Sequence, residues 1–139
     1  MMQPHQATAV AIGGRALLIE GPPGSGKSSL ALALIDRGAV LIGDDSLILE
    51  ARDGRLIAHP HPNTRGLLEV QGLGLLTFPV CEAAPAALVL SLDKAAPRFV
   101  EAAERTERLG IALPTLGLWP DSPVLALRAE LALARFGLA

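Results

Sequence analysis

The stretch GPPGSGKSSLALALIDRG, residues 21–38, decides the fold of this 139-residue chain. Gly21, Gly26, Lys27 and Ser28 match every fixed position of the pattern G-x-x-x-x-G-K-[ST], which is typical of phosphate-binding loops. In such a loop the glycines let successive backbone N–H groups point at phosphate oxygens, and the helix that follows adds its partial positive charge. The sequence therefore predicts a phosphate site at the start of a helix.

The residue types in this loop indicate a nucleotide and a metal ion. Lys27 would reach the β and γ phosphates, while the Ser28 hydroxyl would ligate Mg²⁺. The predicted nucleotide contacts are Gly21, Pro22, Pro23, Gly24, Ser25, Gly26, Lys27, Ser28 and Ser29. ATP and Mg²⁺ are therefore the expected ligands.

The segments around the loop supply the strand and helix that it needs. RALLIE (15–20) is a short apolar run after a glycine pair, which predicts a buried strand. SSLALALIDRG is rich in Leu and Ala, lacks Pro and stops at Gly38, as a glycine-capped helix does. AVLI (39–42) predicts a second buried strand, which a right-handed crossover would lay parallel to the first.

Two adjacent acids, Asp44 and Asp45, follow this second strand. Parallel strands end at the same edge of a sheet, where ligands of open α/β folds bind, so both acids are expected beside the loop. One can face the metal while the other accepts the proton of an attacking hydroxyl. The alternative is that an Asp here only opens a turn or caps a helix.

The middle of the chain predicts two further pairs of strands. Asp53-Gly54 marks a hairpin turn, and an irregular loop with His59 and His61 follows it. The two histidines could suggest a metal site, but no third ligand lies nearby, so a solvated loop is favoured. Leu67–Pro79 predicts strand, glycine turn and strand. Its isolated acid, Glu69, needs a partner that Mg²⁺ could provide.

The C-terminal segment predicts an amphipathic helix that begins near Asp121 or Ser122. The spacing of the leucines and Phe136 predicts one apolar helix face, which we expect to pack against the protein core.

Composition limits the function classes. Half of the residues are apolar and 19% are charged, as in a globular protein, and the length predicts a single domain over residues 1–139. A net charge of −2 and 3% aromatic residues argue against a nucleic-acid partner. No apolar run approaches the ~20 residues of a membrane span. A single cysteine, Cys81, fits a reducing cytoplasm.

Three blocks together resemble the catalytic domain of the HPr kinase/phosphorylase family, in its short proteobacterial form. They are GPPGSGKSS with its continuation IDRGAVLIGDD, then LLEVQGLGLL, and more weakly PRFVEAAERTERLGIALP. The resemblance implies an α/β fold akin to phosphoenolpyruvate carboxykinase, a mixed sheet with flanking helices. It also implies an ATP- and Mg²⁺-dependent serine kinase and phosphorylase that acts on an HPr- or NPr-type phosphocarrier of the phosphotransferase system, commonly as a homo-hexamer.

The resemblance assigns roles to individual positions. Lys27 would bind phosphate, and Ser28 and Glu69 would hold Mg²⁺, with Asp44 supporting the metal or its water. Asp45 would accept the proton during phosphorylation and return it in the reverse reaction. Arg98 in PRFV lies roughly where the family has a catalytic arginine.

The chain departs from the family pattern at three positions. Gln6 stands where the family has a histidine, with His5 one step earlier; Ser29 replaces an acid, and Gln71 replaces an arginine. An amide does not bind phosphate as a guanidinium does, which weighs against the phosphorylase reaction. A nucleotide-sensing regulatory module is the second hypothesis. A small-molecule kinase is the third, although no arginine-rich lid segment follows the sheet.

Overall fold

A computed structural model describes all residues, 1–139, as eleven strands and two helices. The strands are β1 (Met2–His5), β2 (Thr8–Ile12), β3 (Arg15–Glu20), β4 (Val40–Gly43), β5 (Leu47–Arg52), β6 (Arg55–Pro60), β7 (Leu67–Val70), β8 (Gly74–Thr77), β9 (Ala84–Leu92), β10 (Glu104–Arg108) and β11 (Ile111–Leu118). The helices are α1 (Lys27–Asp36) and α2 (Leu125–Phe136).

Nine of the strands form one mixed sheet, and β7 and β8 form a separate hairpin. The order along the sheet is β1-β5-β6-β9-β3-β2-β4. The long strand β9 pairs with β6 only at its first residues, while its second half pairs in parallel with β11, which carries β10 on its other edge. The expected α/β class with a mixed sheet and flanking helices is confirmed.

The central strand β3 has a core on each side because its side chains alternate between the two faces of the sheet. Leu17 and Ile19 belong to the core that α1 and α2 cover, whereas Ala16 and Leu18 belong to a second core shared with β5 and β6. All four residues are fully buried. Burial on both faces explains the uninterrupted apolar run of this strand.

The strands on either side of α1 run in the same direction, as predicted, but they are not neighbours. β2 lies between β3 and β4 and is antiparallel to both. The carboxyl ends of β3 and β4 therefore still point to one edge of the sheet, where the phosphate loop (residues 21–28) begins. Two more parallel strands, β9 and β11, end at this edge.

The local predictions for α1 and the hairpins are confirmed. Gly38 ends α1 with φ +109°, and the N–H of Ala39 bonds to the carbonyl of Leu34, which closes a Schellman cap. β5 and β6 join through Asp53-Gly54, both at positive φ, as a tight hairpin requires. The prediction of an irregular loop around His59 is wrong, because this residue pairs within β6.

The C-terminal helix α2 packs on the core mainly through small residues. Its buried positions are Ala129, Ala132 and Leu133, while Leu131 remains 67% exposed. The expected helix is therefore present, but part of its leucine set faces outward. Neither helix is long and apolar enough to cross a bilayer.

Candidate active site

The phosphate loop has the backbone conformation that its glycines allow. Gly24 and Gly26 have φ of +76° and +100°, a region that other residues rarely adopt. α1 begins immediately afterwards at Lys27, so its first backbone N–H groups face the loop. The Lys27 ammonium donates to the carbonyl of Gly21 at 2.9 Å and lies 3.4 Å from that of Pro22. The lysine thus lies folded across the loop.

Asp44 lies beside the loop, as the strand order predicts. Its Oδ1 accepts from the Ser28 hydroxyl at 2.7 Å and from the Thr8 hydroxyl at 3.0 Å. Its Oδ2 accepts from the backbone N–H of Glu69 at 3.0 Å. One carboxylate therefore joins β2, α1, the end of β4 and the β7–β8 hairpin.

Thr8 is a further residue of this site, which the sequence motifs did not predict. It is the one polar residue among the buried set, at the start of the otherwise apolar strand TAVAI. Its hydroxyl donates to Asp44 and accepts from the backbone N–H of Asp45 at 3.2 Å. A lone hydroxyl in an apolar strand was the signal in the sequence, since buried polar groups need partners.

Asp45 adopts a left-handed backbone conformation, with φ +61°. Asp tolerates this region better than most residues, but it is still uncommon and clusters at functional sites. The bond from its N–H to Thr8 holds the conformation. As a result the Asp45 side chain lines the cavity, and no hydrogen bond or ion pair within the protein occupies it.

The loop and the acids enclose one cavity of about 570 Å³, called here the acid cavity. It is lined by Gln6, Gly21, Pro23, Gly24, Ser25, Gly26, Lys27, Ser28, Ser29, Asp44, Asp45, Glu69 and Gln71. Of the residues predicted to contact the nucleotide, only Pro22 is outside this lining. Apart from Pro23 and the glycines, every lining residue is polar or charged, as a site for phosphates requires.

The oxygen atoms in the acid cavity fit Mg²⁺. The ion binds proteins through one or two carboxylates and takes its other ligands from substrate phosphates and water. The Ser28 hydroxyl and the Asp44 carboxylate lie in contact, which is the pairing that phosphate-loop enzymes use. Glu69 has an exposed carboxylate on the same cavity. Glu69, the isolated acid of an otherwise apolar segment, thus faces the cavity rather than the core.

Arg98 is not brought to the acid cavity. It lies exposed in the loop between β9 and β10 and forms no ion pair. Gln71, at the position of the family arginine, does line the cavity. No cationic side chain other than Lys27 lines it.

Glu20, His5 and Arg108 form a cluster at the entry of the loop. Glu20, the last residue of β3, accepts from Arg108 at 2.6 Å and lies 2.8 Å from Nε2 of His5. Burial opposes ionisation of Glu20, but the bonds from His5 and Arg108, with the charge of Arg108, hold its pKa below the ordinary value. His5 is thus bound to Glu20 and does not line the acid cavity. Gln6 lines the cavity instead.

The two histidines of the middle segment do not form a metal site. His59 Nε2 lies 2.8 Å from a carboxylate oxygen of Glu50, and His61 Nδ1 accepts from the backbone N–H of Asn63. No group of three or more histidine, cysteine or acidic side chains is placed to hold a metal ion without other ligands.

Comparison with known proteins now identifies the family. The model of the HPr Serine kinase C-terminal domain matches residues 2–81, which contain the phosphate loop, both aspartates and the β7–β8 hairpin. The chain belongs to the HPr serine kinase C-terminal domain family.

Relatives in this family are recognised by sequence and by fold. The chain is 38% identical over 71 residues to the HPr kinase/phosphorylase of Mycoplasma mycoides, covering 51% of this chain and 23% of that protein. It is 44% identical over 66 residues to the enzyme of Clostridium tetani, covering 48% of this chain and 22% of that protein. The chain thus spans less than a quarter of the length of these curated relatives.

The structural match extends over almost the whole chain. The solved HPr(Ser) kinase/phosphatase of Coxiella burnetii superposes with a TM-score of 0.84 at 28% identity, covering 95% of this chain and 88% of that one. The segment after residue 81, where the family model stops, therefore has the family fold as well.

Proposed function

We propose that this protein is an Mg²⁺- and ATP-dependent serine kinase that acts on an HPr- or NPr-type phosphocarrier. The observation that carries the proposal is the 2.7 Å contact between Ser28 and Asp44, because it puts the acid pair directly against the phosphate loop. The names of the relatives, HPr kinase/phosphorylase, support the same reaction class.

In the proposed reaction the loop binds the triphosphate and Asp45 handles the proton. Backbone N–H groups and Lys27 hold the β and γ phosphates. The seryl oxygen of the carrier bonds to the γ phosphorus, the bond from that phosphorus to the β–γ bridging oxygen breaks, and ADP leaves. Asp45 accepts the seryl proton, for which its carboxylate has no competing partner in the protein. Mg²⁺, when bound, would neutralise charge that develops on the phosphate oxygens.

Asp44 has a different task from Asp45 in this proposal. Its two oxygens already accept from Thr8, Ser28 and the N–H of Glu69. A carboxylate held so firmly is suited to orient Ser28 and the metal, not to exchange protons with a substrate. Glu69 adds a second carboxylate on the metal side of the cavity.

The reverse reaction is expected to be the weaker one. Phosphorolysis brings an additional anion, inorganic phosphate, to a cavity where Lys27 is the only lining cation. Gln71 and Gln6 offer neutral amides where the family has an arginine and a histidine, and an amide cannot match bidentate binding of phosphate by guanidinium.

Gln6 and Gln71 also favour a second candidate, a nucleotide-sensing regulatory module, because their neutral amides replace groups that the family has at these positions. In that role the loop binds ATP without transfer, and the bound state controls a partner protein. In both candidates the phosphate loop binds ATP. They differ only in whether the hydroxyl of a substrate reaches Asp45.

A transfer assay distinguishes them. The protein is incubated with γ-labelled ATP, Mg²⁺ and an HPr- or NPr-type carrier, with a carrier whose target serine is changed to alanine as the substrate control. We expect label on the serine, and about 10²- to 10⁴-fold slower transfer by Asp45→Asn with ATP affinity retained, the range for loss of a general base. Tight ATP binding without any transfer by the unchanged protein would instead establish the regulatory module.

A further inference from the structure

The β10–β11 hairpin presents an arginine to the entry of the phosphate loop. Its two turn residues, Leu109 and Gly110, have φ of +52° and +78°, as a tight hairpin turn requires. A leucine rarely adopts this conformation, and such strained residues persist only where the surrounding structure holds them. Leu109 and Ile111 pack against the second core, which holds the turn in place. Arg108, the residue just before the turn, therefore projects from a fixed position.

The guanidinium of Arg108 is engaged by hydrogen bonds on several sides. Its Nη1 donates to the Thr106 hydroxyl at 2.7 Å and to the Glu107 carbonyl at 2.8 Å. Its Nη2 donates to Oε1 of Glu20 at 2.6 Å, and its Nε lies 3.4 Å from Oε2 of the same carboxylate. A two-pronged contact between arginine and carboxylate fixes the geometry of both groups. Arg108 thus holds the Glu20 side chain in one position.

Glu20 transmits this constraint to the loop because Gly21 follows it directly. A Cβ on Gly21 would lie 2.7 Å from the Ser25 hydroxyl and 3.2 Å from the carbonyl of Leu92, so the chain has no spare room at this point. The carbonyl of Gly21 is also the closer of the two acceptors of the Lys27 ammonium. A displacement of Glu20 would therefore move groups that the loop needs for binding phosphate.

The other end of the loop has its own support. The Ser28 hydroxyl at that end bonds to Asp44. Thr8 bonds to Asp44 and to the backbone of Asp45. None of these contacts involves Arg108, which does not line the acid cavity either. The two ends of the loop are thus held by independent sets of contacts.

We propose that Arg108 is a positioning residue of the phosphate loop, which acts through Glu20 to set the affinity for the triphosphate of ATP. This inference rests on the proposed function, in which the loop binds ATP. Because Thr8 and not Arg108 holds Asp45, loss of the arginine weakens binding and leaves the chemical step intact. The effect is the opposite of that expected from Asp45→Asn, which slows transfer and retains ATP affinity.

The test measures ATP affinity and transfer for the variant Arg108→Ala. Calorimetry with Mg²⁺ should show about tenfold weaker ATP binding, within the range for changes that alter a ligand site without touching it. In the transfer assay the KM for ATP should rise, while kcat at saturating ATP stays within about twofold of that of the unchanged protein, since only binding is lost. A binding stoichiometry equal to that of the unchanged protein shows that the variant is folded. If it is not, Arg108→Met keeps the length of the side chain without its charge and carries the same test.

Arg105→Ala is the matched control. Arg105 lies on the same strand, is exposed, and forms no ion pair or hydrogen bond through its side chain. Its removal takes away the same charge without touching Glu20, so ATP affinity and kcat should stay unchanged. Equal weakening by both variants would overturn the proposal, because the charge of the hairpin and not the contact with Glu20 would then be responsible.

The double variant Glu20→Gln/Arg108→Ala tests whether Arg108 acts through Glu20. Its ATP binding should be no weaker than that of Arg108→Ala, because the two side chains form one contact and their effects are not additive. A further loss beyond that of Arg108→Ala would mean that the two residues act separately. Recovery of full affinity would mean that Arg108 only cancels the charge of Glu20 near the phosphates. Either result would overturn the positioning role.

The remaining outcomes distinguish failure of this proposal from failure of the proposed function. Unchanged ATP affinity in Arg108→Ala, or a lower kcat with affinity retained, would overturn the role of Arg108 while the proposed function stands. If the protein without substitutions did not bind ATP, the proposed function itself would fail, and the role of Arg108 with it.

Discussion

The two flanks of the phosphate loop differ in how their polar groups are engaged. On the acid flank, made by Thr8, Asp44, Asp45 and Glu69, the Asp44 carboxylate accepts three hydrogen bonds and the Asp45 backbone bonds to Thr8, while the Asp45 and Glu69 carboxylates remain open to the cavity. On the opposite flank, at the ends of β9 and β11, charged side chains such as Lys94 lie exposed without partners.

This difference fits a division of labour between the flanks. Groups that act on a reacting phosphorus need fixed positions before the substrate arrives, because positioning and preorganised charge supply most of the catalysis in phosphoryl transfer. Groups that only recognise the rest of the ligand can stay solvated until it binds. The loop borders both flanks and connects the two functions.

The largest effect on this comparison is expected from Thr8→Val, which removes the hydroxyl that fixes the acid flank. The Asp45 N–H and the Asp44 carboxylate would each lose the partner that the fully buried Thr8 provides, so we expect a loss of about 1–3 kcal/mol in the free energy of unfolding. The rate of phosphoryl transfer should fall about tenfold, because misplacing Asp45 slows the chemical step. The affinity for ATP should be retained. Chemical denaturation and the transfer assay measure the two effects.

Thr8→Ser is the matched control for this change. It keeps the hydroxyl that bonds to Asp44 and Asp45, so transfer should stay close to that of the unchanged protein. If valine and serine at position 8 gave equal transfer rates, the acid flank would not depend on this hydroxyl.

A smaller effect is expected from Glu20→Gln, at the point where the loop leaves β3. The pKa of Glu20 is lowered in the folded protein by His5 and Arg108, which outweigh its burial. A lowered folded-state pKa gives stability that is present above the ordinary Glu pKa of about 4.3 and is lost as pH falls through the folded-state value. The variant should therefore be about 1 kcal/mol less stable at neutral pH, with the difference vanishing in acid.

Thermal unfolding of both proteins between neutral and acidic pH measures this difference. The stability curves of the two proteins should converge as the pH falls through the lowered pKa of Glu20, below its ordinary value of about 4.3. A constant offset at every pH would mean that the ionised Glu20 is not what holds the loop entry to Arg108.

The sequence predicts the acid flank better than the opposite flank for a physical reason. Gly21 to Ser28 and the Asp44-Asp45 pair lie within one strand–helix–strand unit, so short-range patterns and the motif determine their placement. The sequence did not predict that β2 lies between β3 and β4, because strand pairing depends on long-range packing.

The opposite flank could not be predicted because its residues come from distant parts of the chain. Asp93 and Asp121 approach each other only because β9 and β11 pair in parallel, and no local motif marks either residue. Glu20 and Arg108 are likewise 88 positions apart. Arg98 was singled out by resemblance alone, and its loop lies outside the lining of the acid cavity.

The most direct test of the central claim is a crystal structure of the protein with Mg²⁺ and a non-hydrolysable ATP analogue. We predict that the γ phosphate lies beside Asp45 and that the metal lies against Ser28 and Asp44. Phosphates bound away from the loop, or a terminal phosphate on the β9–β11 flank with the nucleoside toward the acids, would contradict this prediction.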